Sequence, residues 1–243
     1  MAEISNDIAR QFAPKGVMRV ALNHGNRVLV RREADGTPAG ISVDLARALA
    51  RHLGLDLAFV DYERAVDVSA SAGEDAWDVC FLAVDPERAR TIRFTAPYVR
   101  IEGCYLAGPR ATAADAPGLV RSGAKVGTVT GSAYTLTLLR KPGAENLVMH
   151  EEYSDALAAL DTGAVDAIAG IRQAMEDEAE HRPGSRVLMP PFMEIRQAMA
   201  MPEGRPVASE VLAAWLADAA RSGLVADILE RHGVARDCAI MPD

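Results

Sequence analysis

A chain of 243 residues, 49% hydrophobic and 25% charged, is long enough for one large domain or two lobes of about 100 residues, each with its own core. The net charge of −8, with basic residues scattered rather than striped, argues against nucleic acid as a partner. No stretch is apolar for long enough to span a membrane, and three cysteines without a CxxC spacing argue against a disulfide framework or a zinc site, so no cofactor or metal is expected.

The opening MAEISNDIARQFAPKG is polar and amphipathic, with Ile4, Ile8 and Phe12 at helical spacing and no signal-type apolar core. Read as a native start, Met1-Ala2-Glu3 places the protein in the cytoplasm. The alternative is a periplasmic protein whose signal peptide has been removed. Between Gly40 and Leu53, apolar Val43, Leu45, Ala46, Leu49, Ala50 and Leu53 predict an amphipathic helix that ends at Gly54. Leu55–Val60 reads as a strand, and Val66–Ala76 as a helix rich in small residues. The run WDVCFLAVDPERARTIRFTAPY, from Trp77 to Tyr98, holds two short strands, Val79–Ala83 and Ile92–Thr95, around a turn that carries Arg88. Ile101–Leu106 continues as a strand that crosses into a second lobe. Cys80 is expected in the core, Cys104 facing a cleft, and Cys238 exposed in the tail.

Gly108–Gly123 is expected to be a loop. Strand Lys125–Val129, helix Ser132–Leu139, strand Leu147–His150, helix Ser154–Thr162, strand Ala167–Ala169 and a helix from Gln173 to about Glu180 follow. Phe192–Met199 is the return crossing. From Pro206 the chain is helical, with Val211, Leu212, Trp215, Leu216 and Ala219 on one face. The pentapeptide IRQAM occurs twice, at Ile171–Met175 and Ile195–Met199, and is expected to adopt different structures at the two places. Strands alternating with helices predict a parallel-rich α/β architecture. The two crossings divide it into lobe one (1–105 plus 198–243) and lobe two (106–197).

Several residues could carry chemistry. Arg88 offers a planar fork matched to a carboxylate, and a strand-end position puts it at a sheet crevice; the plain alternative is a surface ion pair with Glu87 or Asp85. The turn Thr130-Gly131-Ser132-Ala133 opens a helix whose free N–H groups favour an anion, although Ser132 would also serve as an ordinary cap. Glu102 lies in the first crossing strand as an ammonium acceptor, a general acid or a solvated carboxylate. Asn23 and His24 stand in the first loop, where a His is more often a surface residue. Asp44 complements a helix dipole, and Glu176-Asp177-Glu178 reads as a solvated helix face.

The Trp77–Tyr98 run also resembles the signature of the bacterial extracellular solute-binding proteins, family 3, the polar amino-acid-binding type. That signature is an Asp, an apolar run, Thr-Pro-x-Arg and Phe-Ser/Thr-x-Pro-Tyr, matched here by Arg88, Phe94-Thr95 and Pro97-Tyr98. MRVALN (Met18–Asn23), GISVDLARALARHLGLDLAFV (Gly40–Val60), AKVGTVTGSAY (Ala124–Tyr134) and ALAALDTGAVDAIAG (Ala156–Gly170) resemble further family segments in the right order. The resemblance implies an α/β, two-lobed Venus-flytrap fold (periplasmic binding protein type II) with two hinge crossings. It implies that Arg88 holds a ligand carboxylate and that Gly131, Ser132 and Ala133 hold its other side.

Other family features are altered. The Asp that grips a ligand ammonium should stand at Ile171, and its neighbour is Arg172, which if turned inward would suit a dianion. The bridge from Asp78 to Arg88 is shorter, with Phe81, Leu82 and Ala83 where small hydroxyl residues are usual. The first loop reads Asn23-His24-Gly25-Asn26 instead of an aromatic lid. The expected function is a monomeric solute-binding protein that captures a small carboxylate-bearing metabolite, an amino acid or related organic acid, in the cleft between the lobes. It would serve ABC-type transport, with an ABC permease as partner, or act as a soluble receptor. The alternative is a cytoplasmic enzyme on the same scaffold, a cyclohexadienyl-dehydratase-like lyase, for which Glu102 is the one catalytic candidate.

Overall fold

The structure, a computed structural model, describes residues 5–241. Contacts divide the chain into two compact units, Met1–Arg100 with Arg196–Asp243, and Ile101–Ile195.

The first unit opens with α1 (Asn6–Phe12), capped by the Ser5 hydroxyl, which accepts from the Ile8 N–H, and anchored by buried Phe12. Ile4 and the Met1-Ala2-Glu3 start lie outside the described residues. Strand β1 (Met18–Asn23) follows, then the short hairpin of β2 (Arg31–Arg32) and β3 (Pro38–Ala39), and α2 (Ile41–Leu53). Helix α2 forms where the apolar spacing predicts it, and Ile41, Val43, Leu45, Leu49 and Leu53 are all buried. Each such side chain contributes about 1.5–3 kcal/mol by leaving water. Gly54 ends the helix at φ 65°, a left-handed conformation that costs glycine little.

Strand β4 (Leu57–Tyr62) leads to α3 (Ala65–Ala70) and a short 3₁₀ turn at Ser71–Gly73, so the helix is shorter than the sequence suggests. Serine chemistry accounts for this. Ser69 and Ser71 donate back to the carbonyls of Val66 and Val68, and buried Trp77 Nε1 donates to Val68 O and Ser71 Oγ, both at 3.1 Å. These bonds compete with continuation of the helix. Strand β5 (Val79–Ala83) is wholly buried. The two strands expected between Ile92 and Leu106 form one, β6 (Ile92–Ala107).

The second unit adds α4 (Ala116–Arg121), β7 (Val126–Val129), α5 (Ala133–Leu138), β8 (Leu147–His150), α6 (Tyr153–Thr162), β9 (Ala167–Ile171), α7 (Arg172–Glu180) and β10 (Arg186–Pro202). Helix α4 corrects the expectation of a loop: Asp115 accepts from the Gly118 N–H at 2.6 Å as a cap, and Pro117 sits in the first turn, where its missing N–H costs nothing. The chain returns to the first unit within β10, at Arg196, and continues as α8 (Pro206–Arg221) and α9 (Leu224–Arg231); α8 buries Leu212, Trp215, Leu216 and Ala219. The first IRQAM copy spans the end of β9 and the start of α7, while the second lies within β10.

In the first unit β1 is central, parallel to β4 on one side and β5 on the other, and β10 runs antiparallel to β5 through Gln197–Ala200. In the second unit β7 is central, parallel to β8 and β9, and β9 is antiparallel to β6. Alternation along β6 sends Tyr105 into one apolar layer with Leu119, Val126 and Leu188. It sends Leu106 into the opposite layer with Leu160, Ile168 and Met175. Each unit is therefore an open sheet wound in both directions from its central strand.

One polar cluster in the first unit is built like a rivet. Asp78, fully buried, receives Arg19 Nη2 at 2.8 Å, Arg19 Nε at 2.9 Å and Arg205 Nη1 at 2.7 Å, as well as the Arg19 backbone N–H at 2.9 Å. It ties β1 to β5 and to the residue that opens α8. Taking one partner away would leave charge buried without a counterpart, which is the costly case.

Candidate functional site

In an open α/β sheet the chain diverges on either side of a switch point, and ligands sit outside the carboxyl ends of the strands there. In the first unit that point lies between β1 and β5. Asn23 is the last residue of β1, His24 follows it, and Arg88 stands in the turn after β5.

Arg88 is 5% exposed, so it is not the surface side chain that the plainer reading requires. Its Nη1 donates to Ala83 O, the last residue of β5, at 3.0 Å. Burial pushes its guanidinium below the ordinary arginine value, and the charge of Asp85 opposes that shift. Asp85 is itself buried and accepts from the Glu87 N–H, while Glu87 pairs with Arg90 at 3.2 Å. A positive fork is thus held in a dry setting at a strand end.

Asn23 accepts from the Gly25 N–H at 3.2 Å, a local turn contact. His24 corrects the surface expectation: its side chain is 4% exposed, and its Nε2 lies 2.6 Å from Asp61 Oδ1. Asp61 escaped sequence reasoning. The signal was present in the strand pairing, because β1 against β4 aligns Leu22 with Asp61 and Asn23 with Tyr62.

In the second unit the switch point lies between β7 and β9, followed by Gly131–Ala133 and by Arg172. Gly131 has φ 70°, which turns the chain sharply from β7 into α5. Ser132 caps α5, accepting from the Thr135 N–H at 3.2 Å. Its Oγ also lies 2.7 Å from Thr135 Oγ1, which has Thr128 Oγ1 at 2.5 Å and donates its own proton to Val129 O at 2.6 Å. A hydroxyl has one proton, so Thr135 accepts from both neighbours and the Ser132 proton is committed inside the turn. Ala133 is the first residue of the helix and is half-buried.

Glu102 and Arg172, expected as separate site groups, come together. Arg172 Nη1 donates to Glu102 Oε2 at 2.7 Å, and Arg172 Nε to Glu176 Oε1 at 2.7 Å. Both carboxylates hold the Arg172 guanidinium above its ordinary value, Glu102 first. The acidic face on α7 is accordingly engaged rather than merely solvated, since Glu178 also pairs with Arg182. Asp44 does more than complement a dipole: its Oδ2 lies 3.0 Å from His232 Nε2 and 3.4 Å from Arg231, joining α2 to α9.

Cys80 is buried as expected. Cys104, expected at a cleft, is buried, and burial pushes its thiol up to about 11. Cys238 is half-buried in a short 3₁₀ turn rather than exposed. A hollow of about 460 Å³ in the second unit, lined by Gly108, Arg110, Asp161, Asp166 and Arg182, lies at the opposite end of β9 from Arg172. Its Arg182 is already matched by Asp161 at 2.8 Å. Among the described residues no group of His, Cys, Asp or Glu could hold a metal ion, and no helix is long and apolar enough to cross a membrane.

Solved structures with this fold are numerous. A mutant of ArgBP from T. maritima superposes with a TM-score of 0.78 at 19% identity, covering 93% of this chain and 99% of that one. The ancestral amino acid-binding protein AncCDT-1, a precursor of cyclohexadienyl dehydratase, gives 0.77 at 18%, with 93% and 99% covered. The amino acid ABC transporter substrate-binding protein AbpA from Streptococcus pneumoniae, bound to L-arginine, gives 0.76 at 22%, with 91% and 96% covered. A search of curated proteins found no match. These likenesses establish the mixed α/β fold of type II periplasmic binding proteins. The model of one family matches residues 18–235, and the chain belongs to the bacterial extracellular solute-binding proteins, family 3.

Proposed function

We propose that this protein captures a small metabolite bearing one carboxylate, an amino acid or a related organic acid, and delivers it to an ABC-type permease. The observation that carries the reading is Arg88, a guanidinium buried at the carboxyl end of β5 beside the switch point of its sheet. A dry, preorganised fork binds a carboxylate with two parallel charge-assisted hydrogen bonds, stronger than the same contact in water. A monoanion is favoured over a dianion because Arg172 is already matched by Glu102 and Glu176. The lyase alternative has no observation of its own in support, since Glu102, its one candidate acid, is taken up by Arg172.

A thermal-shift screen of amino acids, dicarboxylates and prephenate-like acids, with a turnover assay on each hit, tests the reading. Ligand in hundredfold excess over Kd stabilises the folded state by about 2.7 kcal/mol, so hits separate from inert compounds. Arg88→Ala is expected to weaken binding of a hit by about 1.5–3 kcal/mol, roughly ten- to hundredfold. Arg88→Lys, which keeps the charge but loses the fork, should recover only part of that. Full affinity in both variants would end the proposal.

A further inference from the structure

The hollow in the second unit takes no part in holding a carboxylate at Arg88. Three segments wall it: the residues that follow β6, the turn from α6 into β9, and the turn from α7 into β10. They are tied to one another. The Gly108 N–H donates to Asp166 O at 2.9 Å, and Arg182 grips Asp161 through Nε at 2.8 Å and Nη2 at 3.2 Å. Pro109 lies so close to Gly184 that a β-carbon on the glycine would come within 3.1 Å of it. Buried Leu160 and Val165 supply an apolar lining. A volume of about 460 Å³ is ordinary for a small-molecule site.

Two arginines and two aspartates line the hollow. Arg182 and Asp161 cancel each other as a two-pronged pair, which leaves Arg110 and Asp166. The Arg110 guanidinium rests on Gly163, where a β-carbon would collide with Nη2, and its hydrogen bond to Thr162 O is long, 3.5 Å. Among the described residues no carboxylate stands within ion-pair distance of it. Asp166 accepts from the Lys125 N–H through Oδ2 at 2.8 Å, and its Oδ1 meets no hydrogen-bond donor among the described residues. Opposite charges thus line one hollow without meeting. A lone anion would be drawn to Arg110 and repelled by Asp166, and a lone cation the reverse. A molecule that carries both charges is matched at both.

We propose that this hollow is a second ligand site, for a small zwitterion. An aliphatic amino acid fits its chemistry: the carboxylate meets Arg110, the ammonium meets Asp166, and the side chain covers Leu160 and Val165. The site lies wholly within the second unit and does not depend on Arg88, which belongs to the first.

Titrations followed by ¹H–¹⁵N spectra, read at the amides of Gly108, Gly163 and Asp166, test it. They are run at about pH 8, above the ordinary range of histidine, since His181 also lines the hollow. L-Leucine should shift these signals saturably. 4-Methylpentanoate, which lacks the amine, and 3-methylbutylamine, which lacks the carboxylate, should each bind about five- to tenfold more weakly. Arg110→Gln should lower the leucine affinity by a similar factor without weakening the amine. Asp166→Asn, whose amide oxygen can still accept from the Lys125 N–H, should lower it without weakening 4-methylpentanoate. The shifts should persist in Arg88→Ala, which tests the carboxylate reading separately. No saturable shift with leucine overturns the proposal, and so does either analogue binding as tightly as leucine. Shifts that vanish in Arg88→Ala overturn it as well, because they would be an echo of binding in the first unit.

Discussion

In the first unit the charges that matter are buried. Arg88 is withdrawn from water at the end of β5, and Asp78 sits fully enclosed between Arg19 and Arg205. In the second unit the corresponding charges are on the surface: Arg172 and Glu102 hold each other with side chains 38% and 43% exposed. The same chemistry, a guanidinium and a carboxylate at 2.7–2.8 Å, thus occurs in two dielectric settings within one fold. Coulomb attraction grows severalfold as the effective dielectric falls, and so does the penalty for a charge left alone. The first unit uses charge to fix geometry and holds the Arg88 fork away from water, whereas the second unit pairs its fork at the surface.

The sharpest way to break this comparison is Asp78→Ala. Removing the carboxylate takes the one buried partner from Arg19 and Arg205, whose side chains are only 12% and 17% exposed, and leaves them the half-exposed Asp75. The loss expected is about 3–5 kcal/mol, measured as a fall in the urea midpoint. A loss below about 1 kcal/mol would mean that water already reaches the cluster, and the contrast between the units would collapse.

A middle-sized effect separates the rim of that cluster from its centre. Asp75 is 55% exposed and sits at φ 51°, and hydrogen bonds from Lys15 and then Arg19 pull its carboxyl down to about 2. A lowered folded-state value means that the unfolded chain takes up the proton first. The stabilisation is therefore complete above the ordinary carboxylate value near pH 4 and fades as pH falls from there toward 2. Asp75→Asn, which tolerates the left-handed conformation, should flatten the melting temperature across that window and leave it unaltered at pH 7 relative to its own pH 5 value. An unchanged slope would show that the Asp75 contacts do not persist in solution.

What the sequence made legible follows the same line. Helix α2, strands β5 and β8 and the C-terminal helices were readable because their signal is local: apolar spacing, a glycine stop, a short buried run. The position of Arg88 in the turn after β5 was readable because a family segment surrounds it. The environments of His24, Glu102 and Arg172 were not, since each depends on a partner distant in the chain: Asp61 for His24, and Glu102 and Arg172 for one another, 70 positions apart. Helix α4 was hidden for a different reason, because alanine, proline and glycine around Asp115 look like a loop until the cap is seen to close.

The smallest effect is expected from Glu102→Gln, and it is the one that assigns the residue. Glu102 lies on β6 and Arg172 opens α7 after β9, which β6 borders, with Gly103 opposite Ile171 in register. The amide can still accept one hydrogen bond from Arg172, and Glu176 remains to match the guanidinium at 2.7 Å. Because the pair is well solvated, the stability change should be about 0.5 kcal/mol or less. Binding of amino acids and of their 2-unsubstituted counterparts should be equally unaffected, since the carboxylate is already committed to Arg172. If instead amino acids weaken by tenfold or more and the unsubstituted acids do not, Glu102 must leave Arg172 to meet the ligand's ammonium. The surface ion pair would then be a resting arrangement that the ligand breaks. A loss shared by both kinds of acid would point to Arg172, released by the substitution, as a competitor for the carboxylate that Arg88 is expected to hold.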